Sequence, residues 1–226
     1  MIGIVSAPTG WQEAVADALG AASRPIAIDP RFDPRIATRP EDAPPTPTRS
    51  AAPAARPAAT LLLLYPAADG SGLVVPLTVR HADLRAHAGE VSLPGGAVDP
   101  TDVDRPATAL REASEEIGLD AERDGVRVAG VLDPIWIPVS NYQLLPVVAT
   151  AAAAPSLVLQ ASEVEAIVEL PLARLLAADA ITEELFEVRR FRLRAATYRH
   201  ADLRIWGATA RSLAMLVSVL GEADLV

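Results

Sequence analysis

Apolar residues recur at helical spacing near both ends of the chain, and this pattern predicts two amphipathic helices. The first, over about residues 10–21, has one apolar face formed by Trp11, Val15, Ala18 and Leu19. Thr9 and Gln12 have the spacing of a capping box at its start. The second helix, over about 207–220, turns four residues inward: Leu213, Leu216, Val217 and Leu220.

Short apolar runs between these helices predict strands. Residues 60–65 and 73–79 flank the turn-rich Asp69-Gly70-Ser71-Gly72 and are typical of a hairpin, in which Pro76 indicates an edge or a bulge. Further strands are predicted at about 126–132, 143–149, 165–170 and 185–194. A helix over 106–117, the clearest of the chain, is bounded by Pro106 and Gly118. Mixed strands around two or three helices indicate an α/β layered domain.

Proline, alanine, threonine and arginine dominate residues 29–59, which predicts an irregular or extended linker. We therefore divide the chain into an N-terminal helical extension (1–28), this linker (29–59) and a main domain (60–222). Residues 134–162 carry no charge and are long enough to span a bilayer, but four prolines would break such a helix. A loop, a buried strand and an Ala-rich connection are predicted there instead, and no membrane span.

Charge and composition exclude several kinds of chemistry. The formal net charge is −9, and all 20 basic residues are arginine, so no lysine can serve as a phosphate ligand, a Schiff base or a general base. The absence of cysteine excludes thiolate nucleophiles and cysteine-based zinc sites and agrees with a cytoplasmic location. The sequence begins without a basic region before an apolar stretch, so no secretory signal is expected. An acidic chain is also a poor partner for duplex nucleic acid.

Three glutamates stand on one side of the predicted 106–117 helix. Glu112 and Glu116 are four residues apart, with Glu115 beside them. Carboxylates grouped in this way suit Mg²⁺ or Mn²⁺, which bind oxygen ligands together with substrate phosphates. The alternative is an ordinary exposed helix face, on which Arg111 pairs with Glu115.

The segment from Gly96 to Leu119 resembles the signature of the Nudix hydrolases, whose second half is Arg-Glu-apolar-any-Glu-Glu-any-Gly-apolar. This half matches at every position, from Arg111 through Gly118 to Leu119. In the first half the acidic position is Asp102 rather than glutamate, and eight residues rather than seven separate it from Arg111. The resemblance implies a Nudix-type α/β/α sandwich with a mixed sheet over about residues 60–220.

The flanking segments are similar to the coenzyme A pyrophosphatase branch of that family, which tolerates the aspartate and the extra residue. The similarity lies in 77–80, 84–96, 138–142 and 205–210, although Asn141 stands where a glycine is often found. The resemblance implies metal-dependent hydrolysis of the diphosphate of coenzyme A or its thioesters, giving adenosine 3′,5′-bisphosphate and (acyl-)4′-phosphopantetheine. Alternatives are another nucleoside diphosphate derivative, such as ADP-ribose, a dinucleotide or a nucleoside triphosphate, or a domain that senses nucleotides without turnover.

The resemblance also implies roles for single residues. Glu112 and Glu116 are expected to bind Mg²⁺ or Mn²⁺, and Glu115 to be a third ligand or an accessory base. Gly95 and Gly96 would let the backbone approach the ion and the phosphates. Arg111, Asp102 and Gly118 are expected to be structural, with Arg111 bracing the loop or a helix carboxylate. The expected partner is a small molecule, and a homodimer is left open.

Several other side chains have two interpretations. Arg80 and Arg85 either bind phosphate or are solvated at the surface. His87 is interpreted as structural more readily than as catalytic. Three arginines at alternate positions of a predicted strand either form a solvated face or receive the 3′-phosphate of coenzyme A: Arg190, Arg192 and Arg194. Trp206 is predicted to be a core residue.

Overall fold

The computed structural model describes residues 4–38, 54–80, 90–188 and 191–226. Its helices are α1 (Trp11–Ala21), α2 (Arg105–Ile117), α3 (Leu172–Leu175) and α4 (Gly207–Glu222), with 3-10 turns at Ile4–Ser6 and Pro30–Phe32. The strands of the first half are β1 (Arg35–Thr38), β2 (Arg56–Pro66), β3 (Leu73–Arg80), β4 (Val91–Ser92), β5 (Gly95–Ala97) and β6 (Arg127–Val131). Those of the second half are β7 (Ile135–Ile137), β8 (Tyr142–Thr150), β9 (Val164–Pro171), β10 (Ile181–Val188), β11 (Phe191–His200) and β12 (Leu203–Ile205).

The larger sheet is mixed and has β2 at its centre. Its strands follow the order β4-β3-β2-β8-β6, while β5 pairs with β2, β7 with β8 and β9 with β3. β2 runs parallel to β8 along the whole length of β8, from Arg56 opposite Tyr142 to Leu64 opposite Thr150. β2 and β3 are antiparallel and meet only at their linked ends, where Tyr65 is opposite Val74. The predicted hairpin and mixed sheet are therefore confirmed.

Helices cover both faces of this sheet. Alternate residues of a strand point to opposite faces, so neighbouring residues of β2 pack against different helices. Leu61 and Leu63 of β2 lie in a buried cluster with the helix α2. Leu62 and Leu64 lie in a second cluster, which also contains apolar residues of α1 and α4. All four leucines are fully buried. The arrangement of helix, sheet and helix confirms the predicted α/β/α sandwich.

The predicted capping box of α1 is wrong. Gly10 is the residue that caps the helix, in the left-handed conformation, and no side chain accepts a hydrogen bond from the first turn. The Gln12 side chain instead donates a hydrogen bond to Thr150 Oγ1 at 3.0 Å, which connects α1 to β8. Leu19 packs so closely that a Cβ on Gly130 of β6 would lie 3.1 Å from the Leu19 Cβ. α1 is therefore packed against the sheet.

The predicted irregular linker is wrong at its two ends. Arg35–Thr38 forms the strand β1, which pairs antiparallel with β11, and Arg56 already belongs to β2. Residues 39–53 lie outside the described part of the chain. The proline-rich composition gave no signal for the strand β1 or for the start of β2, whose hydrogen bonds come from partners distant in the sequence.

The single strand predicted at 185–194 is also wrong. Two antiparallel strands, β10 and β11, occupy this region, and Val188 is opposite Phe191. They form a smaller sheet in the order β1-β11-β10, with β12 paired to β11. Within the described part of the chain, no helix has the length together with the apolar character that a membrane span requires.

Asn141 shows why a residue other than glycine is accepted in the turn before β8. Its φ is 52°, in the left-handed region that asparagine adopts more readily than most other residues. The indole N–H of Trp136 donates a hydrogen bond to Asn141 Oδ1 at 3.1 Å. The side chain that replaces the expected glycine therefore stabilises the turn.

Candidate active site

The helix α2 carries the predicted site, and local sequence determines both of its ends. Asp104 accepts a hydrogen bond from the Ala107 amide at 2.8 Å, and Pro106 lies in the first turn. Gly118 ends the helix with φ 63°, and its amide donates to the Ser114 carbonyl at 3.1 Å. The predicted helix and its two boundary residues are confirmed. The glutamates are thus held on a rigid element.

Two of the three glutamates face the backbone of β5. The Gly95 amide donates to Glu116 Oε2 at 3.3 Å. A Cβ on Gly96 would lie only 2.5 Å from the carboxyl carbon of Glu112, so a larger residue would overlap this carboxylate. β5 is held in place by β2, where Thr60 is opposite Gly95. The fold therefore brings the carboxylates of Glu112 and Glu116 together against the Gly95–Gly96 backbone.

Burial disfavours negative charge on both carboxylates. Glu116 is 6% exposed, and its burial raises its pKa to about 7, although the Gly95 amide and the charge of Arg80 act in the opposite direction. Burial also raises the pKa of Glu112, partly offset by Arg111. Repulsion from the charge of Glu112 also raises the pKa of Glu116. The nearby positive charges therefore do not fully offset the burial and the mutual repulsion of Glu112 and Glu116.

Arg111 binds one carboxylate in the loop before α2 and two carboxylates within α2. Its guanidinium forms ion pairs of 3.0 Å with Asp102, Glu112 and Glu115. It also donates to the Ala97 carbonyl at 3.1 Å. The Arg111 side chain thus joins the loop before α2, the end of β5 and the helix itself, and its donors are directed at the protein.

The Asp102 side chain is buried, and both of its carboxylate oxygens accept hydrogen bonds. Besides Arg111, it accepts hydrogen bonds from the Thr108 hydroxyl and the Asp99 amide, both at 2.8 Å. The hydrogen bonds from Arg111 hold the pKa of Asp102 well below its usual range. The aspartate that departs from the family pattern therefore anchors the loop and Arg111.

Glu115 is placed differently from the other two glutamates. Its side chain is 59% exposed and pairs with Arg111, as expected for residues four apart. Within the described part of the chain, no three histidine or carboxylate side chains converge into a metal site made of side chains alone. The site therefore consists of the carboxylates of Glu112 and Glu116 beside the Gly95–Gly96 backbone. A metal ion bound there would need further ligands, such as water or substrate oxygens.

The predicted arginines fall into three groups. Arg80 ends β3, and its charge lowers the pKa of Glu116. The Arg80 Nε is buried and has no hydrogen-bond partner among the described residues. Arg192 and Arg194 are exposed on one face of β11, as their alternation predicted. Arg85, His87 and Arg190 lie outside the described residues.

Two residues differ from the sequence-based expectation. Trp206 is half-buried rather than in the core, and its ring stacks on Phe186 with centroids 4.1 Å apart. Glu163 was missed altogether, although its charge raises the pKa of both Glu112 and Glu116. It lies far from them in the sequence, just before β9, so helical spacing offers no signal for it.

Comparison with known proteins identifies the family. The NUDIX domain profile matches residues 55–200, which include the carboxylate pair, β5 and Arg80. The chain belongs to the Nudix family. Its Nudix domain is 39% identical over 146 residues to an uncharacterized Nudix hydrolase, NudL, from Pectobacterium atrosepticum, covering 65% of this chain and 74% of the relative. The corresponding protein of Cronobacter sakazakii is 40% identical over 152 residues, with the same coverage.

Among solved structures, the Nudix hydrolase RenU from M. smegmatis is similar at 26% identity and a TM-score of 0.42. The match covers 54% of this chain and 73% of that chain. The family membership rests on the profile and on the sequence relatives. Nudix hydrolases generally use divalent metal ions and act on nucleoside diphosphate derivatives.

Proposed function

We propose that this Nudix hydrolase cleaves the diphosphate of coenzyme A or its thioesters, releasing adenosine 3′,5′-bisphosphate and (acyl-)4′-phosphopantetheine. One observation carries the proposal. Arg80 and Gly95 belong to two of the segments similar to the coenzyme A pyrophosphatase branch, and both lie beside the carboxylate pair: the Arg80 charge lowers the pKa of Glu116, and the Gly95 amide donates a hydrogen bond to Glu116. This placement supports the proposal, because a diphosphate bound at the carboxylate pair would meet residues typical of that branch.

The donor set fits a magnesium or manganese ion. Glu112 and Glu116 offer carboxylate oxygens beside Gly95 and Gly96 of β5, which carry no side chains. Mg²⁺ typically takes one or two carboxylates plus phosphate oxygens. We assign these two residues as ligands and Glu115 as a further ligand or base that would approach from the exposed side. When bound, the ion neutralises the diphosphate and makes water a better nucleophile.

The chain's own residues bind and orient the substrate. Gly95 and Gly96 allow the diphosphate to approach the backbone, because neither carries a side chain. Arg80, with its buried Nε, supplies a guanidinium that suits phosphate oxygens. Water then forms a bond to one phosphorus while the bridging P–O bond breaks, and the proton lost by water passes to the solvent or to a carboxylate. Arg111 and Asp102 keep the loop and helix in position throughout.

The test is product identification by mass after incubation of the protein with coenzyme A and Mg²⁺ or Mn²⁺. We expect the two products named above in equal amounts. Intact coenzyme A alongside turnover of ADP-ribose would overturn the substrate assignment. The Glu116→Gln variant should lose about a hundredfold or more in kcat. The exposed Glu13 of α1 provides the matched control, Glu13→Gln, which should retain full activity.

A further inference from the structure

A second concave site lies between β4, β10, β12 and the start of α4. It is a cavity of about 610 Å³. Its apolar wall is formed by Val91, Leu185, Phe186, Leu203 and Trp206. None of these residues belongs to the Nudix signature, and the site described above does not use them.

An aromatic pair forms part of this wall. The Phe186 and Trp206 rings are nearly parallel, with an interplanar angle of 10°. Phe186 is buried, and the Arg204 guanidinium lies over its ring at 5.2 Å from the centroid. Trp206 stays half-buried, so part of its surface remains available to a ligand. Leu185 is 41% exposed and extends the apolar surface.

The polar part of the lining disfavours phosphate. Among the described residues it contains three acidic residues, Glu90, Glu187 and Asp202, and one basic residue, Arg204. The Arg204 guanidinium lies 3.6 Å from Glu184, which balances its charge. A phosphate group would meet mainly like charges here. An uncharged ligand with N–H donors and apolar groups matches both parts of the lining.

The cavity is within reach of a substrate held at the carboxylate pair. Val91 is four residues before Gly95, so their Cα atoms are at most about 14 Å apart. The Arg80 amide donates to the Glu90 carbonyl at 3.0 Å, which places the cavity beside the end of β3. The pantetheine arm of coenzyme A is uncharged, contains two amides and is roughly as long as four or five extended residues.

We propose that this cavity, with Trp206 in its apolar wall, binds the uncharged pantetheine arm of the substrate. This proposal rests on the proposed function and extends it. The phosphorylated adenosine then lies on the other side of the diphosphate, away from the acidic lining. Specificity for coenzyme A over other nucleoside diphosphates comes, in this arrangement, from the arm rather than from the base.

Calorimetric titration with each product separates the two halves of the substrate. The probes are 4′-phosphopantetheine and adenosine 3′,5′-bisphosphate, each titrated in the presence of Mg²⁺. We expect Trp206→Ala to weaken binding of the first about tenfold and to leave the second unchanged. Leu185→Asp, at a partly exposed position where folding is little affected, should do the same. Val128→Asp is the matched control, since Val128 is 43% exposed and lies away from the cavity lining.

Three results would overturn the proposal. In the first, the variants lose binding of adenosine 3′,5′-bisphosphate and keep binding of 4′-phosphopantetheine. In the second, both variants bind both probes as the wild type does. In the third, the wild type does not bind 4′-phosphopantetheine at millimolar concentration. The proposed function fails separately, if the wild type leaves coenzyme A intact. Binding that depends on Trp206 would then still support the cavity as a site for the arm.

Discussion

Asp102 accepts two hydrogen bonds from the Arg111 guanidinium, 3.0 Å from Nε and 3.1 Å from the terminal nitrogen. Such a paired contact fixes the orientation of both groups. The family signature has a glutamate here, one residue closer to the arginine. In this chain a shorter side chain, with one more residue between it and Arg111, reaches the Arg111 guanidinium.

Replacing Asp102 with asparagine should destabilise the protein in a pH-dependent way. The folded state holds the pKa of Asp102 below its ordinary value of 3.8, so its ionised form stabilises the fold above that pH. The advantage of the wild type over Asp102→Asn should therefore be full at pH 7 and decline as the pH falls below about 4. Urea unfolding at several pH values measures it. The exposed Asp17 gives the control, Asp17→Asn, and a difference that does not change with pH would contradict the assignment.

Gly96→Ala should weaken metal binding while the protein stays folded. The added Cβ would overlap the Glu112 carboxylate and displace it from β5. We expect the affinity for Mn²⁺, measured by calorimetry, to fall by about tenfold, or about 1.4 kcal/mol. Gly20→Ala in α1 is the control, since a Cβ there meets no atom within 4 Å. Equal Mn²⁺ affinity in Gly96→Ala and the wild type would show that the ion does not depend on Glu112.

Gly118→Ala should lower the free energy of unfolding by about 1–2 kcal/mol, because its left-handed φ of 63° strains any residue with a Cβ. That Cβ would also lie 3.0 Å from the Val158 carbonyl oxygen, so the following segment has to shift. Denaturant unfolding with Gly20→Ala as reference checks the value. A neutral result would mean that α2 can end in another way.

Leu19→Ala tests whether α1 is an integral part of the domain. Leu19 is buried in the same cluster as Leu62 and Leu216, and its truncation in a packed core should cost about 2–5 kcal/mol. Asp17→Ala, on the exposed face of the same helix, should have little effect. If Leu19→Ala is equally mild, α1 behaves as a separable extension, as the sequence alone suggested.

Local signals predicted the parts of the fold and the site that depend on neighbouring residues. The helix α2, with Pro106 in its first turn and Gly118 directly after its last residue, and the Arg111–Glu115 pair all follow from spacings of a few residues. The apolar run at Leu61–Leu64 likewise predicted a strand. Because all four residues are apolar, the run also agrees with a strand that is buried on both faces, as the structure has it.

Long-range contacts were not predictable in this way. The strand β1 is only four residues long, follows prolines and owes its hydrogen bonds to β11. The residues between β10 and β11 are two arginines, so no glycine, proline or asparagine marked a break there. Glu163 approaches the carboxylate pair only because β9 pairs with β3, and helical periodicity cannot reveal that contact.

The parallel pairing of β2 with β8 has a consequence for how the protein folds. The paired residues, such as Arg56 and Tyr142, are more than eighty positions apart, and α2 with the whole Nudix signature lies in the connection between them. Closing so long a loop costs chain entropy before any contact compensates for it, which makes folding slow. A growing chain that ends before Tyr142 would already contain Glu112 and Glu116 but would lack the strand that completes the sheet beneath them.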